Sequence, residues 1–239
     1  MIFPVRKTGN QYEDPPRVIT GPGSALQPLR RFALIGDVHA EDERLQTALA
    51  YVKKAKVEHI LCVGDVADGH GDLDQTMRLL ALAKVLVVRG NHERWFLADE
   101  FRNLRVVQFQ AEHPEAAKTM RFWLPCIEVS TIKGALLLCH AVGHDDFSVI
   151  KPHHTDSEVR AITAWQQIVQ SGRFRFMACG HTHDVMVRAL DGITMLNAGT
   201  LKRDDSPNFT IVDLEAMTME LFDLEDPHVA IYSTTFPIP

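Results

Sequence analysis

The chain has 239 residues, 46% of them hydrophobic, which is enough to bury a full core and predicts one globular domain with at most a small insertion. Lys and Arg number 25 against 31 Asp and Glu, so the formal charge of −6 leaves no general basic face for a nucleic-acid backbone. The opening stretch MIFPVRKTGNQYEDPPRVITGPGS has no apolar signal-type core, and no run approaches the ~18 apolar residues of a membrane span, so a cytoplasmic location with no membrane partner is expected.

Residues 1–30, rich in proline, glycine and polar side chains, predict an irregular N-terminal arm ahead of a single domain over 31–239. RFALIG then reads as a short strand. EDERLQTALAYVKKA follows, with Leu45, Leu49 and Val52 at the i, i+4, i+7 spacing of one helix face. HILCVG is a second strand, DLDQTMRLLALA a second helix carrying Leu73, Met77 and Leu80, and VLVVRG a third strand. Strand, helix, strand, helix, strand is the pattern of right-handed crossovers and a parallel sheet buried on both faces.

The second half has a different rhythm. RWFLADEF and EAAKTMRFWL read as short helices, CIEVS and ALLLCHA as strands joined near KG, and DSEVRAITAWQQIVQ as one longer helix. RFMACG, VMVRAL, ITMLNAG, FTIVDLE and MTMELFDLE are closely spaced strands, with Asp191-Gly192 suited to a hairpin turn. Two sheets packed together with helices outside are expected. Cys62, Cys126, Cys139 and Cys179 show no C-x-x-C spacing and read as buried reduced thiols.

The chemistry sits where the apolar runs end. GDVADGHGD crowds carboxylates directly after HILCV, which is unfavourable unless the loop is well solvated or a cation sits among them. The same happens along the chain: FALIGDVH ends in Asp37 and His39, HILCVGD in Asp65, VLVVRGNHE in Asn91 and His92, ALLLCHA in His140, and FMACGHTH in His181 and His183. Singly, each has an ordinary reading as a cap, a turn or a hydrogen-bonded core histidine. Jointly, strand ends in an α/β sheet face one crevice, so these residues are expected to converge. Imidazoles with carboxylates, one amide and no thiolate suit manganese, iron, zinc or cobalt, manganese being the first choice for reconstitution. The ligands exceed what one ion needs, and a bridging carboxylate would make two incomplete shells.

In order, GDVH, GDVAD, GNHE, CHA and GHTH span Asp37 to His183, and this set resembles the calcineurin-like metallophosphoesterase superfamily. The resemblance implies a four-layer αββα sandwich of two mixed sheets flanked by helices, with the metal site at the carboxyl ends of the central strands. It implies that Asp37, His39 and His183 hold one metal with Asp65, that Asn91, His140 and His181 hold the other, and that Asp65 bridges. Asp68 matches the second aspartate of the phosphoprotein-phosphatase form, where it orients the histidine of GNH, here His92. That form continues with a phosphate-gripping arginine, whereas Gly69 stands here; Arg94, Lys202 and Arg203 are the nearby cations that would replace it, unless they are ordinary surface charges. Asp72 and Asp74 are assigned to the next helix start, and His70 to a solvated loop.

The implied reaction is hydrolysis of a phosphomonoester or phosphodiester by in-line attack of a hydroxide on the binuclear centre, with His92 as general acid. The substrate is then a small molecule, a nucleotide or a phosphoprotein. Residues 141–157, which hold His144, Asp145, Asp146, His153 and His154, read either as a loop lining the substrate entrance or as a plain surface loop. Two rivals stand beside this reading: a nuclease of the same superfamily, which the charge disfavours, and a non-catalytic protein-interaction scaffold on the same fold.

Overall fold

A computed structural model describes residues 17–18, 27–57, 59–100 and 102–239. The first crossovers are β2 (Arg31–Ile35), α1 (Asp42–Lys54), β3 (His59–Cys62), α2 (Leu73–Leu82) and β4 (Leu86–Val87), following β1 (Arg17–Val18). β2, β3 and β4 are parallel neighbours. Helix α1 has Asp42 and Glu43 in its first turn and Lys53 and Lys54 in its last, matching the helix dipole at both ends. Asp72 caps α2, its Oδ1 accepting from the Gln75 N–H at 2.9 Å.

The remaining elements are α3 (Asn91–Ala98), α4 (Pro114–Met120), β5 (Cys126–Thr131), β6 (Gly134–Cys139), α5 (Asp156–Arg160), α6 (Thr163–Ser171), β7 (Phe174–Cys179), β8 (Val185–Leu190), β9 (Ile193–Ala198), β10 (Asn208–Asp213), β11 (Thr218–Asp223) and β12 (Ile231–Pro237). They complete two mixed sheets, one ordered β1-β5-β6-β7-β9-β8 and the other β12-β11-β10-β2-β3-β4.

Alternation along the strands builds the layers. Phe32 and Leu34 of β2 meet Leu136, Leu138 and Phe176 between the sheets, while Ala33 and Ile35 point outward to Leu45 and Val52 of α1. On the opposite outer face Leu137, Cys139 and Met177 pack under Trp165 and Ile168 of α6. Both faces of the central strands are covered, which is why they read as continuous apolar runs. The result is the expected αββα sandwich.

Four local readings are revised. The helix expected over DSEVRAITAWQQIVQ is two helices, broken at Ala161 and Ile162. The break lets Arg160 and the Trp165 indole N–H both reach Asp191 in the β8–β9 turn, and Gln166 takes up the Arg160 carbonyl. Helix α3 begins earlier than RWFLADEF suggested, at Asn91, and ends where Asp99 turns left-handed at φ 51°. The arm expected to be irregular contributes β1, parallel to β5, and a bridge from Leu29 to Thr131. These contacts satisfy backbone groups along an otherwise open sheet edge, while residues 1–16 and 19–26 lie outside the described residues. β12 went unread because it is an edge strand exposed at every residue but Phe236, so no apolar alternation marks it.

All four cysteines are buried and unpaired. Burial pushes every thiol up, Cys126 and Cys179 to about 12. Ellman's reagent is therefore expected to label none of them in the native protein and all 4 after denaturation. A thiol reacting at once in the native state would contradict this packing. Among the described residues no helix is long and apolar enough to cross a membrane.

Candidate metal centre

Asp37 and His39 leave β2, Asp65 and Asp68 leave β3, Asn91 and His92 open α3 after β4, His140 follows β6, and His181 and His183 follow β7. The two sheets place all these strand ends at one edge, and every predicted site residue comes to the same cleft or its floor. The backbone there is tightly constrained. His39, Asp65, Asp68, His181 and His183 all have positive φ, between 46° and 66°. Such conformations cost about 1–3 kcal/mol each away from glycine, and clusters of them mark functional sites.

Ligand-forming atoms gather in overlapping groups. Asp37, His39 and His183 form one, Asp65, His140 and His181 another, and His39, Asp65 and His92 a third. Asp65 belongs to the second and third of these groups, and His39 links the third to the first. His39 Nε2 lies 3.2 Å from His183 Nε2, and His183 Nε2 lies 3.0 Å from the buried Asp37 Oδ2. On the other side His140 Nε2 lies 2.9 Å from Asn91 Oδ1, 3.2 Å from His181 Nδ1 and 3.2 Å from Asp65 Oδ2.

The outer ring nitrogens explain which atoms face inward. His39 Nδ1 is 3.0 Å from the Asp68 carbonyl, His140 Nδ1 is 2.9 Å from the Val63 carbonyl, and His183 Nδ1 is 2.8 Å from Asp205 Oδ2. Each of these partners is an acceptor, so each Nδ1 carries a proton, and it is Nε2 that faces the centre, with a lone pair for a cation when it gives up its own proton. Lone pairs converging on one another within about 3 Å repel unless a cation lies between them, and this is the arrangement of metal-bound histidines with their outer nitrogens anchored. The donor set therefore fits divalent ions.

The electrostatics agree. Burial lowers His39 to about 4, keeping it neutral, and burial together with His140 also lowers His181. At His140 burial is outweighed by Asp65 and Asp37, which raise it to about 10. His183 is raised in the same way by Asp37 and Asp205 against its burial. Asp65, despite burial, is held well below the carboxylate range by His140 and His92. The carboxylates thus call for positive charge, supplied by protons on imidazole or by cations in their place.

His92 is placed differently. Its Nδ1 is 2.8 Å from Asp68 Oδ2, and its backbone N–H donates to Asp65 Oδ1 at 2.9 Å. Asp68 in turn accepts from Arg102 Nη2 at 2.8 Å and from the Gln108 N–H at 2.9 Å, and these bonds outweigh burial to lower its pKa. Burial opposes protonation of His92, but Asp65 and Asp68 overcome it and raise its pKa.

Gly69, where the phosphatase form has arginine, has a steric cause. A Cβ there would lie 1.6 Å from the His39 carbonyl oxygen, a backbone atom that has no freedom to yield. The three cations named from the sequence each bind a carboxylate: Arg94 binds Asp146 through Nε and Nη2, Arg203 binds Glu41, and Lys202 binds Asp205. His70 is exposed at the mouth of the cleft.

Several contributors went unread in the sequence. Glu93 stood in plain view within GNHE; its buried carboxylate accepts from the N–H groups of Asp65, Val66, Ala67 and Gly90 at 2.6–3.0 Å. Arg102, Gln108 and Asp205 carried no local signal, since their partners lie far along the chain. Asp205 holds the His183 ring, so Asp205→Ala is expected to weaken manganese binding by roughly 10–100-fold, measured by titration calorimetry. Unchanged affinity would remove Asp205 from the site.

A family model described as a calcineurin-like phosphoesterase superfamily domain matches residues 31–217. Among curated proteins, MJ0912 of Methanocaldococcus jannaschii is 22% identical over 187 residues, covering 75% of this chain and 73% of that protein. Among solved structures, the hypothetical protein PH1004 of Pyrococcus horikoshii superposes with a TM-score of 0.67 at 13% identity, over 82% of this chain and 88% of the other. A metallophosphoesterase from Sphaerobacter thermophilus does so with a TM-score of 0.59 at 17% identity, over the same shares of 82% and 88%. At such identities the structural likeness speaks for the fold.

Proposed function

The chain belongs to the calcineurin-like phosphoesterase superfamily, and from that premise we propose that it hydrolyses a phosphomonoester or phosphodiester on two divalent metal ions. The observation that carries this reading is the inward convergence of anchored imidazoles on Asp37 and Asp65. Asp37, His39, His183 and Asp65 would hold one ion, and Asn91, His140, His181 and Asp65 the other; the nitrogen and oxygen donors suit manganese, iron, zinc or cobalt. Bound ions of this kind acidify a water from a pKa of 15.7 toward ~7 and neutralise phosphate oxygens.

The chain's own residues supply the rest. Asp68 fixes the His92 ring through Nδ1, which leaves Nε2 as the atom that gives a proton to the departing oxygen. Glu93 ties the Asp65 loop to the start of α3, so bridging ligand and acid stay in register. The acid is therefore presented on a rigid helix turn and not on a free loop.

The test compares p-nitrophenyl phosphate with bis-p-nitrophenyl phosphate after manganese reconstitution, with Asp65→Asn as the control. Turnover of at least one ester is expected, lost in the control and on chelation. Two bound ions without turnover of either ester would favour the scaffold reading instead.

A further inference from the structure

Beside the metal ligands the cleft is lined by Trp95, Leu104, Val106 and Phe147, with Arg105 and Lys202 as its cations. The cavity measures about 360 Å³, within the range of small-ligand sites. Its aromatic wall is continuous: His92 and Trp95 have ring centroids 5.0 Å apart, Trp95 and Phe147 6.0 Å, and Phe147 and His181 5.3 Å. The wall thus runs from the proposed acid to a proposed metal ligand.

Phe147 is 57% exposed, yet it is held firmly. Asp145 accepts from the backbone N–H groups of Phe147 and Ser148 and from the Ser148 hydroxyl. On the other side of the loop Asp146 takes both Nε and Nη2 of Arg94, whose guanidinium lies 5.6 Å from the Trp95 ring centroid. An apolar ring fixed in the open by polar anchors on its own loop is an ordered surface for a flat partner.

We propose that Trp95 and Phe147 form a stacking subsite for a nucleobase, and that the substrate class is a nucleoside phosphoester. The inference rests on the phosphoesterase reading and deepens it.

The experiment uses substrates matched in leaving group. With the manganese-loaded protein, kcat/KM is compared for adenosine 5′-monophosphate against glycerol 3-phosphate, and for the dinucleotide ApA against glycerophosphocholine. Phosphotyrosine is run alongside. The nucleoside member of at least one pair is expected to lead by about tenfold or more, and Phe147→Ala and Trp95→Leu to remove most of that lead. Adenosine, which has no bond to hydrolyse, is expected to quench tryptophan emission in the wild type but not in Trp95→Phe.

Equal rates within both pairs, or a preference for phosphotyrosine, overturn the nucleobase subsite and leave the phosphoesterase intact. Quenching without turnover of any ester supports the subsite while the hydrolytic reading fails. Neither turnover nor quenching overturns both.

Discussion

Glu93→Ala is expected to cost the protein at least about 4 kcal/mol of stability and to abolish its metal-dependent activity. The carboxylate is buried and receives 4 backbone N–H groups, those of Asp65, Val66, Ala67 and Gly90. Each buried donor left without an acceptor costs about 1–3 kcal/mol, and alanine strands all of them together. Burial and the nearby Asp65 push the Glu93 pKa up, while bonds from Gly90 and Ala67 pull it back. Those bonds are what make the carboxylate tolerable in that position.

Glu93→Gln separates charge from geometry. The amide oxygen serves one pair of donors, but its NH2 faces the other pair, so an intermediate loss is expected. Urea denaturation of the three proteins reads both effects. If the alanine variant unfolds within about 1 kcal/mol of the wild type, Glu93 is not the tie between the two loops.

His92→Ala is expected to lower kcat on alkyl phosphoesters by about 10²–10⁴ and to matter far less for nitrophenyl esters. The reasoning is the leaving group. An alkoxide must be protonated as it departs, whereas nitrophenolate leaves unaided, so the loss of an acid shows only where the acid is needed. Equal losses on both ester types would remove His92 from proton transfer. Its backbone N–H already binds Asp65, so such a result would assign it to positioning that carboxylate. Asp68→Asn should follow the same leaving-group pattern with a smaller loss, because Asp68 acts through the ring it holds.

How much of this could be read from the chain alone differs from residue to residue. The crossovers of the first half were legible because their helices and strands have distinct hydrophobic periods. The site residues were legible because they stand where apolar runs stop, in an ordered set of short motifs. The break between α5 and α6 was not, since the periodic run continues through it and Asp191, which both sides of the break engage, lies in a turn between later strands. Gly69 could be read only as a missing arginine; its meaning needed the His39 carbonyl that stands against it.

By itself, then, the sequence pointed to two packed sheets with helices outside and to the side chains where apolar runs stop, because burial periodicity is a local property of the chain, while the four-layer sandwich was implied by the ordered motifs of the family it resembles. Tertiary structure decided which nitrogen of each imidazole faces the centre, what holds Asp68 and His183 in place, and that Trp95 and Phe147 meet in one wall. Those outcomes depend on acceptors and rings brought together from distant segments, and only the packing of the two sheets sets those distances.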